Sequence, residues 1–185
     1  MAEFFDRLSD GYRDFIAAQP IFFVATAAGD GRVNLSPKGM DTFRVLAPDR
    51  AAYLDLGGSG NETQAHLAAD GRITIMFCAF ASPALILRLY GRGAVVLPQD
   101  EGFESLAAHF PRLPGVRQIF DISIGSVQSS CGWGVPEMAL VRERPTLVKF
   151  HAGQDPAERL AHIASRTHSI DGLPVRLQTR IPEWR

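Results

Sequence analysis

The first two thirds of the chain consist mainly of short segments in which hydrophobic and polar residues alternate. Tight turns separate these segments. Alternation with a period of two is typical of half-buried strands, and Asp-Gly or Pro-Asp between two such segments is typical of a hairpin. The segments predicted as strands are 21–26, 32–36, 43–46, 51–56, 72–80, 85–96 and 119–127. About six strands joined by short turns favour a small antiparallel barrel over alternating βαβ units.

Helical spacing of apolar residues appears mainly between or after these strands. It predicts peripheral helices over residues 4–18, 62–69 and 100–110, the first of them ending before Pro20. A further helix is predicted to begin with Asp155 as N-cap and Pro156 as its first residue. The residues of that helix expected to face inward are Leu160, Ile163 and Ala164, and the tail from Asp171 onward is expected to be extended.

Length and charge narrow the class of protein. A chain of 185 residues suits one domain, residues 1–185, with one sizeable core. A net charge of −1, with arginines scattered along the sequence, argues against nucleic-acid binding. Neither a Walker loop nor a GxGxxG run is present, which disfavours P-loop and Rossmann enzymes.

The two cysteines, Cys78 and Cys131, form no CxxC pair, and the histidines show no metalloprotease spacing. We therefore predict neither a disulfide framework nor a metal site. The N-terminus lacks a basic segment followed by an apolar one, and no apolar run is long enough to span a membrane. A cytoplasmic location without membrane association is expected.

The first candidate for chemistry is the segment 33–39, which reads VNLSPKG. The strand period puts Asn34 and Ser36 on one face, with Val33 and Leu35 expected to point into the core. Lys38 follows directly after a proline that is expected to end the strand. Two hydrogen-bonding groups and a cation suit an anionic ligand, although a solvated strand edge has the same pattern.

The second candidate is the loop 57–63, which reads GGSGNET. Ser59 and Glu62 have the spacing of a capping box, and Asn61 is an equally good N-cap, so the segment would begin a helix in any case. Backbone N–H groups exposed by Gly60 and Thr63 at a helix N-terminus would also hold a phosphate. The sequence leaves both roles open.

Two further segments carry polar groups among apolar ones. Arg88 lies between leucines, where a charged side chain either meets an anion or reaches solvent past its apolar stem. Gln128 and Ser129 precede the loop Ser130-Cys131-Gly132-Trp133-Gly134-Val135-Pro136, which is expected to be rigid. No histidine stands near Cys131 in the sequence to activate it, so we do not predict a nucleophilic cysteine.

Taken together, these segments resemble the pyridoxamine 5′-phosphate oxidase-like family of FMN-binding split barrels. The resemblance covers residues 15–135 and includes two specific runs, 59–63 (SGNET) and 130–136 (SCGWGVP). It implies a mainly β fold with peripheral helices, a six-stranded antiparallel split β-barrel of Greek-key type. It also implies a homodimer with FMN in a cleft between the two subunits.

The resemblance also assigns residues to the cofactor. Val33 to Lys38 would line the flavin ring and ribityl chain, and the loop with Asn61 and Thr63 would hold the phosphate. Gln128 and Ser129 would reach the flavin as a similar Gln-Ser pair does in the oxidases, with Arg88 as a further anion ligand. The cofactor residues implied in all are Asn34, Ser36, Lys38, Ser59, Gly60, Asn61, Thr63, Arg88, Gln128 and Ser129.

Two departures from the oxidases bear on the substrate. Glu62 and Thr63 replace the basic pair that holds the phosphate there, and the segment 166–185, with a lone Trp184, lacks the pyridoxal phosphate-binding pattern. The expected function is a flavin-dependent oxidoreductase whose substrate is not pyridoxamine phosphate. The alternative is a binding, storage or sensing protein for FMN, FAD, deazaflavin F420 or haem on the same dimeric scaffold, since a fold does not fix a function.

Overall fold

A computed structural model describes residues 2–182 and places eight strands in one antiparallel sheet. The strands are β1 (Glu3–Phe5), β2 (Phe22–Thr26), β3 (Asn34–Lys38), β4 (Phe43–Ala47), β5 (Arg50–Leu56), β6 (Arg72–Cys78), β7 (Ile86–Val96) and β8 (Val116–Ser130). The helices are α1 (Asp10–Ala17), α2 (Glu62–Ala69), α3 (Phe103–Ala107), α4 (Thr146–Ala152) and α5 (Pro156–Ala164).

The strand order explains both the barrel and its opening. The order is β3-β2-β6-β7-β8-β5-β4, with β1 added to β8. The sheet curls so that β4, at one end, meets β2, which is next to the other end. The rings of Phe43 on β4 and Phe22 on β2 are in contact, with centroids 5.1 Å apart. Within residues 2–182, β3 pairs only with β2 and β4 only with β5, so the barrel is split between β3 and β4. The mainly antiparallel β prediction is confirmed, with eight strands instead of six.

The long strand β7 bends where the sequence places a glycine. The register with β8 shifts between Tyr90 and Gly91, which marks a bulge. A Cβ atom at Gly91 would lie 2.2 Å from the carbonyl oxygen of Ser123, so only glycine fits this approach. The prediction that the glycines of this strand allow the barrel to bend is confirmed at this position.

The N-terminal segment is the largest error in the predicted elements. A helix over 4–18 is wrong for its first turns, because residues 3–5 form β1 and Phe4 lies opposite Gln128 of β8. The helix itself is short and begins after Ser9, whose hydroxyl accepts a hydrogen bond from the backbone N–H of Tyr12. Phe4 and Phe5 fit the spacing of a helix, but this part of β8 has a free edge, and residues 3–5 pair with it as a strand.

The C-terminal helix begins as predicted. The Asp155 carboxylate accepts hydrogen bonds from the N–H groups of Ala157 and Glu158 at 2.8 and 3.1 Å. Its inner face is different, however, because Ala164 is exposed and Arg159 is the buried residue. Helix α4 is not predicted by the sequence pattern. The tail after Asp171 is non-helical as far as residue 182, and Trp184 lies outside the described residues.

Within residues 2–182, none of the helices has the length and apolar character needed to cross a membrane.

Candidate functional site

A polar cavity of about 300 Å³ lies at the split of the barrel, between β3, β5 and the loop that leads into α2. It brings together most of the residues that the sequence singles out. Those lining it are Asn34, Ser36, Lys38, Ser59, Gly60, Asn61 and Thr63. Two charged residues that the sequence pattern did not single out, Asp55 and Arg117, also line it, as does Glu62.

Strand β3 supplies one wall with its inner face. Asn34, Ser36 and Lys38 lie opposite Thr26, Val24 and Phe22 of β2, which point into the barrel. The prediction that Asn34 and Ser36 share a face is confirmed.

The prediction that the apolar residues of β3 point into the core is wrong. Val33 and Leu35 are 75% and 65% exposed on the outer surface. The strand can turn its polar face inward because polar groups meet it there: the Asn34 amide donates to the hydroxyls of Thr63, at 3.1 Å, and Thr26, at 3.3 Å. Pro37 does not end the strand, since an edge strand tolerates a residue without an N–H.

Asp55 is the central charge of the cavity. Its side chain is 2% exposed and accepts hydrogen bonds from the Lys38 ammonium at 3.0 Å and from Nη2 of Arg117 at 2.7 Å. Burial alone would raise the pKa of this carboxyl, but the charges of Arg117 and then Lys38 outweigh it and lower the pKa to about 2. Asp55 is therefore ionised at neutral pH. The sequence feature that could have identified Asp55 is its position as an acidic residue within the otherwise apolar predicted strand 51–56.

The start of α2 forms the opposite wall. Asn61 is the N-cap residue, but its side chain makes no capping bond and instead accepts from the Gln118 amide at 2.7 Å. The predicted capping box is wrong, because the Glu62 carboxylate accepts from the backbone N–H of Ile170. The side chains of Asn61 and Glu62 are thus engaged in tertiary contacts, and the Asn61 side chain does not cap the backbone N–H groups at the start of α2.

The arrangement offers several hydrogen-bond donors to an anion, and the lining also includes the Glu62 carboxylate. Two cations, Lys38 and Arg117, surround one carboxylate, and the hydroxyls of Ser36 and Thr63 stand beside them. The N-terminus of α2, an eight-residue helix, adds partial positive charge at the same place. The Lys38 ammonium, 25% exposed, has three donors, of which Asp55 takes one.

The remaining predicted residues lie elsewhere on the sheet. Arg88 and Gln128 are paired across β7 and β8, on the outer surface of the barrel. Gln128 accepts a hydrogen bond of 2.7 Å from the hydroxyl of Tyr90, and Nη1 of Arg88 donates to Ser130 at 3.3 Å. Ser129 points inward and is buried. These residues do not line the polar cavity of the same chain, and their assignment to a cofactor stays a prediction.

Comparison with known proteins identifies the family. The model of the family described as pyridoxamine 5′-phosphate oxidase matches residues 8–131. A protein of Aspergillus flavus described as a pyridoxamine 5′-phosphate oxidase family protein is 37% identical over 196 residues, which cover 94% of this chain and 78% of the relative. The chain belongs to the pyridoxamine 5′-phosphate oxidase family.

Solved structures similar to this family member confirm the fold. HupZ from Group A Streptococcus, in a variant form, matches with a TM-score of 0.54 at 19% identity, covering 66% of this chain and 98% of its own. A Lactobacillus delbrueckii protein with a provisional pyridoxamine 5′-phosphate oxidase designation also gives 0.54, at 18% identity, covering 66% and 94%. At these identities the likeness concerns the fold alone.

Proposed function

We propose that this member of the pyridoxamine 5′-phosphate oxidase family is a flavin-dependent oxidoreductase that binds FMN and acts on a substrate other than pyridoxamine phosphate. The observation that carries the proposal is the cavity at the barrel split, where Lys38, Arg117 and the N-terminus of α2 converge. Bound FMN would supply hydride or electron transfer, and the protein would position the ring and tune its potential.

The donor set fits a phosphate. The basic pair expected from the oxidases is absent at Glu62 and Thr63, but Arg117 of β8 brings a guanidinium to the same cavity. Its Nη1 also donates to the carbonyl oxygen of Gly60, which fixes the loop against β8. The Glu62 carboxylate is engaged by Ile170. Repulsion of a phosphate by this acid is thereby reduced.

The size of the cavity indicates how much of FMN it would hold. About 300 Å³ is at the small end for ligand pockets, so the phosphate and part of the ribityl chain would enter. The ring would then lie at the mouth of the cavity, beside the outer edge of β3. A partner surface is needed to cover it.

A second copy of the chain is the proposed partner. One row of residues crosses the outer face of the sheet from β3 to β1: Pro37, Phe23, Met76, Arg88, Gln128 and Phe4. Leu35 and Phe4, near the two ends of this face, are 65% and 64% exposed, and a partner seated on the row would cover both. In a homodimer with the cofactor at its interface, Arg88 and Gln128 would approach the flavin from the other subunit. We place the dimer in the cytoplasm, where the free, exposed thiol of Cys131 would remain reduced.

A second candidate function is binding without turnover. It is favoured by the lining of the cavity, which among the described residues includes no histidine and, besides Glu62, a single acid, Asp55, that its cation partners hold ionised. Asp55 therefore has no proton to donate at neutral pH, and no imidazole in this part of the wall serves as a general acid in its place. Storage or sensing of FMN, FAD, F420 or haem would not need one.

Titration of the purified protein with FMN, riboflavin, F420 and hemin separates these functions. We expect flavin fluorescence to be quenched by the protein, with FMN bound more tightly than riboflavin because only FMN carries the phosphate. Anaerobic reduction of the bound flavin by a nicotinamide donor, followed by reoxidation on a substrate, would indicate an oxidoreductase. Binding without such turnover would favour the second function, and a shift of the hemin absorption band without flavin binding would contradict the proposal.

Lys38→Ala tests the site directly. If the Lys38 ammonium makes a charge-assisted hydrogen bond to the phosphate, worth roughly 1.5–3 kcal/mol, FMN affinity should fall about tenfold or more. Riboflavin affinity should change little. Lys149→Ala is the matched control, since this other lysine lies outside the cavity. Equal FMN affinity in the two variants would remove Lys38 from the phosphate site.

A further inference from the structure

A second cavity, of about 400 Å³, lies on the other side of the loop 57–61 from the proposed phosphate site. The loop supplies Gly58, Ser59 and Asn61 to both cavities. Most of the remaining wall comes from α4, α5 and the tail that follows α5, and Leu97 and Arg117 complete it. The family model ends at residue 131, before these C-terminal elements begin.

Most of the wall is apolar. The hydrophobic side chains lining it are Leu97, Leu147, Phe150, Ile163, Val175 and Leu177. A cavity of this size and lining suits a small organic molecule with an apolar body.

Within residues 2–182, the charges in the wall are all of one sign. The charged lining residues are Arg117, Arg159, Arg166 and Arg176, and this described part of the lining includes no aspartate or glutamate. Arg117 and Arg176 are paired with Asp55 and Asp100, which lie outside this lining. In the part of the chain that the structure describes, Arg166 donates to the carbonyl oxygens of Gly58 and Ser59 and to no carboxylate.

Arg159 is the most informative of the four. It is 7% exposed, and its one protein partner in the described part of the chain is the carbonyl oxygen of Val116, 2.7 Å from Nη2. Burial, and after it the charge of Arg117, lower the pKa of this guanidinium. A buried cation without a carboxylate partner is costly, and a cation close to a second one is more so. An anion in the cavity would relieve both costs.

We propose that this cavity binds an organic anion with an apolar body, whose head group is held by Arg159 and Arg166 and whose body packs against the apolar wall. A guanidinium presents a planar pair of donors that matches a carboxylate or a phosphate. The site goes beyond the proposed flavin function and does not depend on it. Because the loop 57–61 belongs to both cavities, a ligand here would also contact the wall of the phosphate site.

Decanoate is the probe, and decylamine and decan-1-ol are its matched controls of opposite and zero charge. We expect decanoate to raise the melting temperature of the full chain and to give a saturable calorimetric titration, and the two controls to do neither. Decyl phosphate in a parallel titration shows which head group is preferred. Equal effects of decanoate and decylamine would overturn the proposal, because a detergent-like association does not depend on the sign of the charge.

Two variants distinguish the contribution of the ligand's charged head group from that of its apolar body. Arg159→Gln keeps a donor for the Val116 carbonyl but removes the charge, and decanoate affinity should fall about tenfold or more. Arg72→Gln removes one charge at the Asp70 pair, outside the cavity, and should bind decanoate as wild type does. If Arg159→Gln fails to fold, Ile163→Trp fills the cavity while keeping every arginine, and it should abolish binding.

Independence from the flavin site is tested with Lys38→Ala. Decanoate affinity should be unchanged in this variant, and saturating decanoate should not displace FMN. A wild-type protein that binds decanoate but not FMN would thus contradict only the flavin proposal. Unaltered decanoate binding in both Arg159→Gln and Ile163→Trp would contradict the second site.

Discussion

At the scale of single residues, Asp55 organises the polar cavity. Replacing it would leave Lys38 and Arg117 close together without their shared counter-ion. The amide of Gln118 also donates to Asp55, at 3.0 Å, and to Asn61, so the carboxylate ties β3, β5, β8 and the loop before α2 together. A buried acid with two cationic partners is therefore both a structural centre and the group that sets the charge of the site.

The ionisation of Asp55 should make stability depend on acid pH. Its pKa is lowered in the folded state from 3.8 to about 2, so its contribution is complete above the unfolded pKa and is lost as pH falls towards 2. The loss between pH 6 and pH 2 should be roughly 2 kcal/mol, at about 1.4 kcal/mol per pKa unit. In Asp55→Asn, the difference in unfolding free energy between these pH values should shrink by that amount, as measured by urea denaturation.

The matched control is Asp121→Asn, which removes a carboxylate from the partly exposed pair with Arg50. Surface pairs contribute little to stability, so this variant should keep the wild-type difference between pH 6 and pH 2. A difference in Asp55→Asn as large as that of wild type would show that the cavity charges do not control acid stability.

At the scale of elements, α2 contributes residues to the wall of the polar cavity and α5 to the wall of the second cavity. Helix α2 has buried residues around its circumference, and the contact between Thr26 and His66, with Oγ1 and Nδ1 3.1 Å apart, holds it against β2. Helix α5, in contrast, is amphipathic and presents Arg159 to the second cavity. The orientation of that arginine depends on where α5 begins, which the cap at Asp155 fixes.

Removing the α5 cap should loosen this helix. Asp155→Ala deletes the acceptor of two backbone N–H groups and should cost about 1 kcal/mol of local stability. Amide hydrogen exchange of residues 157–164 should become faster, and decanoate affinity should fall with it. Asp155→Asn, which keeps an acceptor oxygen, should lie close to wild type. Identical exchange in Asp155→Ala and wild type would show that the cap does not hold the helix.

At the scale of the whole molecule, the sheet has two faces of different character. The inner face is filled by aromatic rings: Tyr53 and Phe120 are stacked with centroids 4.7 Å apart, and Phe22, Phe43 and Phe77 pack in the same cluster. The outer face presents Leu35 and Phe4 to solvent in the isolated chain. A homodimer through this face would bury them and cover the mouth of the polar cavity.

Leu35→Asp tests the proposed dimer. A charge at this apolar position of the proposed interface is costly to bury, so this variant should sediment as a monomer at concentrations where wild type is a dimer. FMN affinity should fall at the same time, since the cavity is unchanged but its cover is lost. Leu35→Met is the control and should behave as wild type. A monomeric wild type, or a dimer that Leu35→Asp leaves intact, would contradict this interface.

The sequence by itself determined the succession of strands from β2 to β8, the bend at Gly91, the start of α5 at Asp155 and a group of polar residues that meet in one cavity. Period, turn residues and caps are local properties, so they can be derived from the order of residues alone. Only the tertiary structure decided that residues 3–5 form a strand, that Val33 and Leu35 face outward and that Asp55, Arg117 and Arg159 belong to the cavities. Those outcomes depend on partners distant in sequence, such as the free edge of β8 or the cations around Asp55. A local sequence pattern cannot predict contacts with such partners.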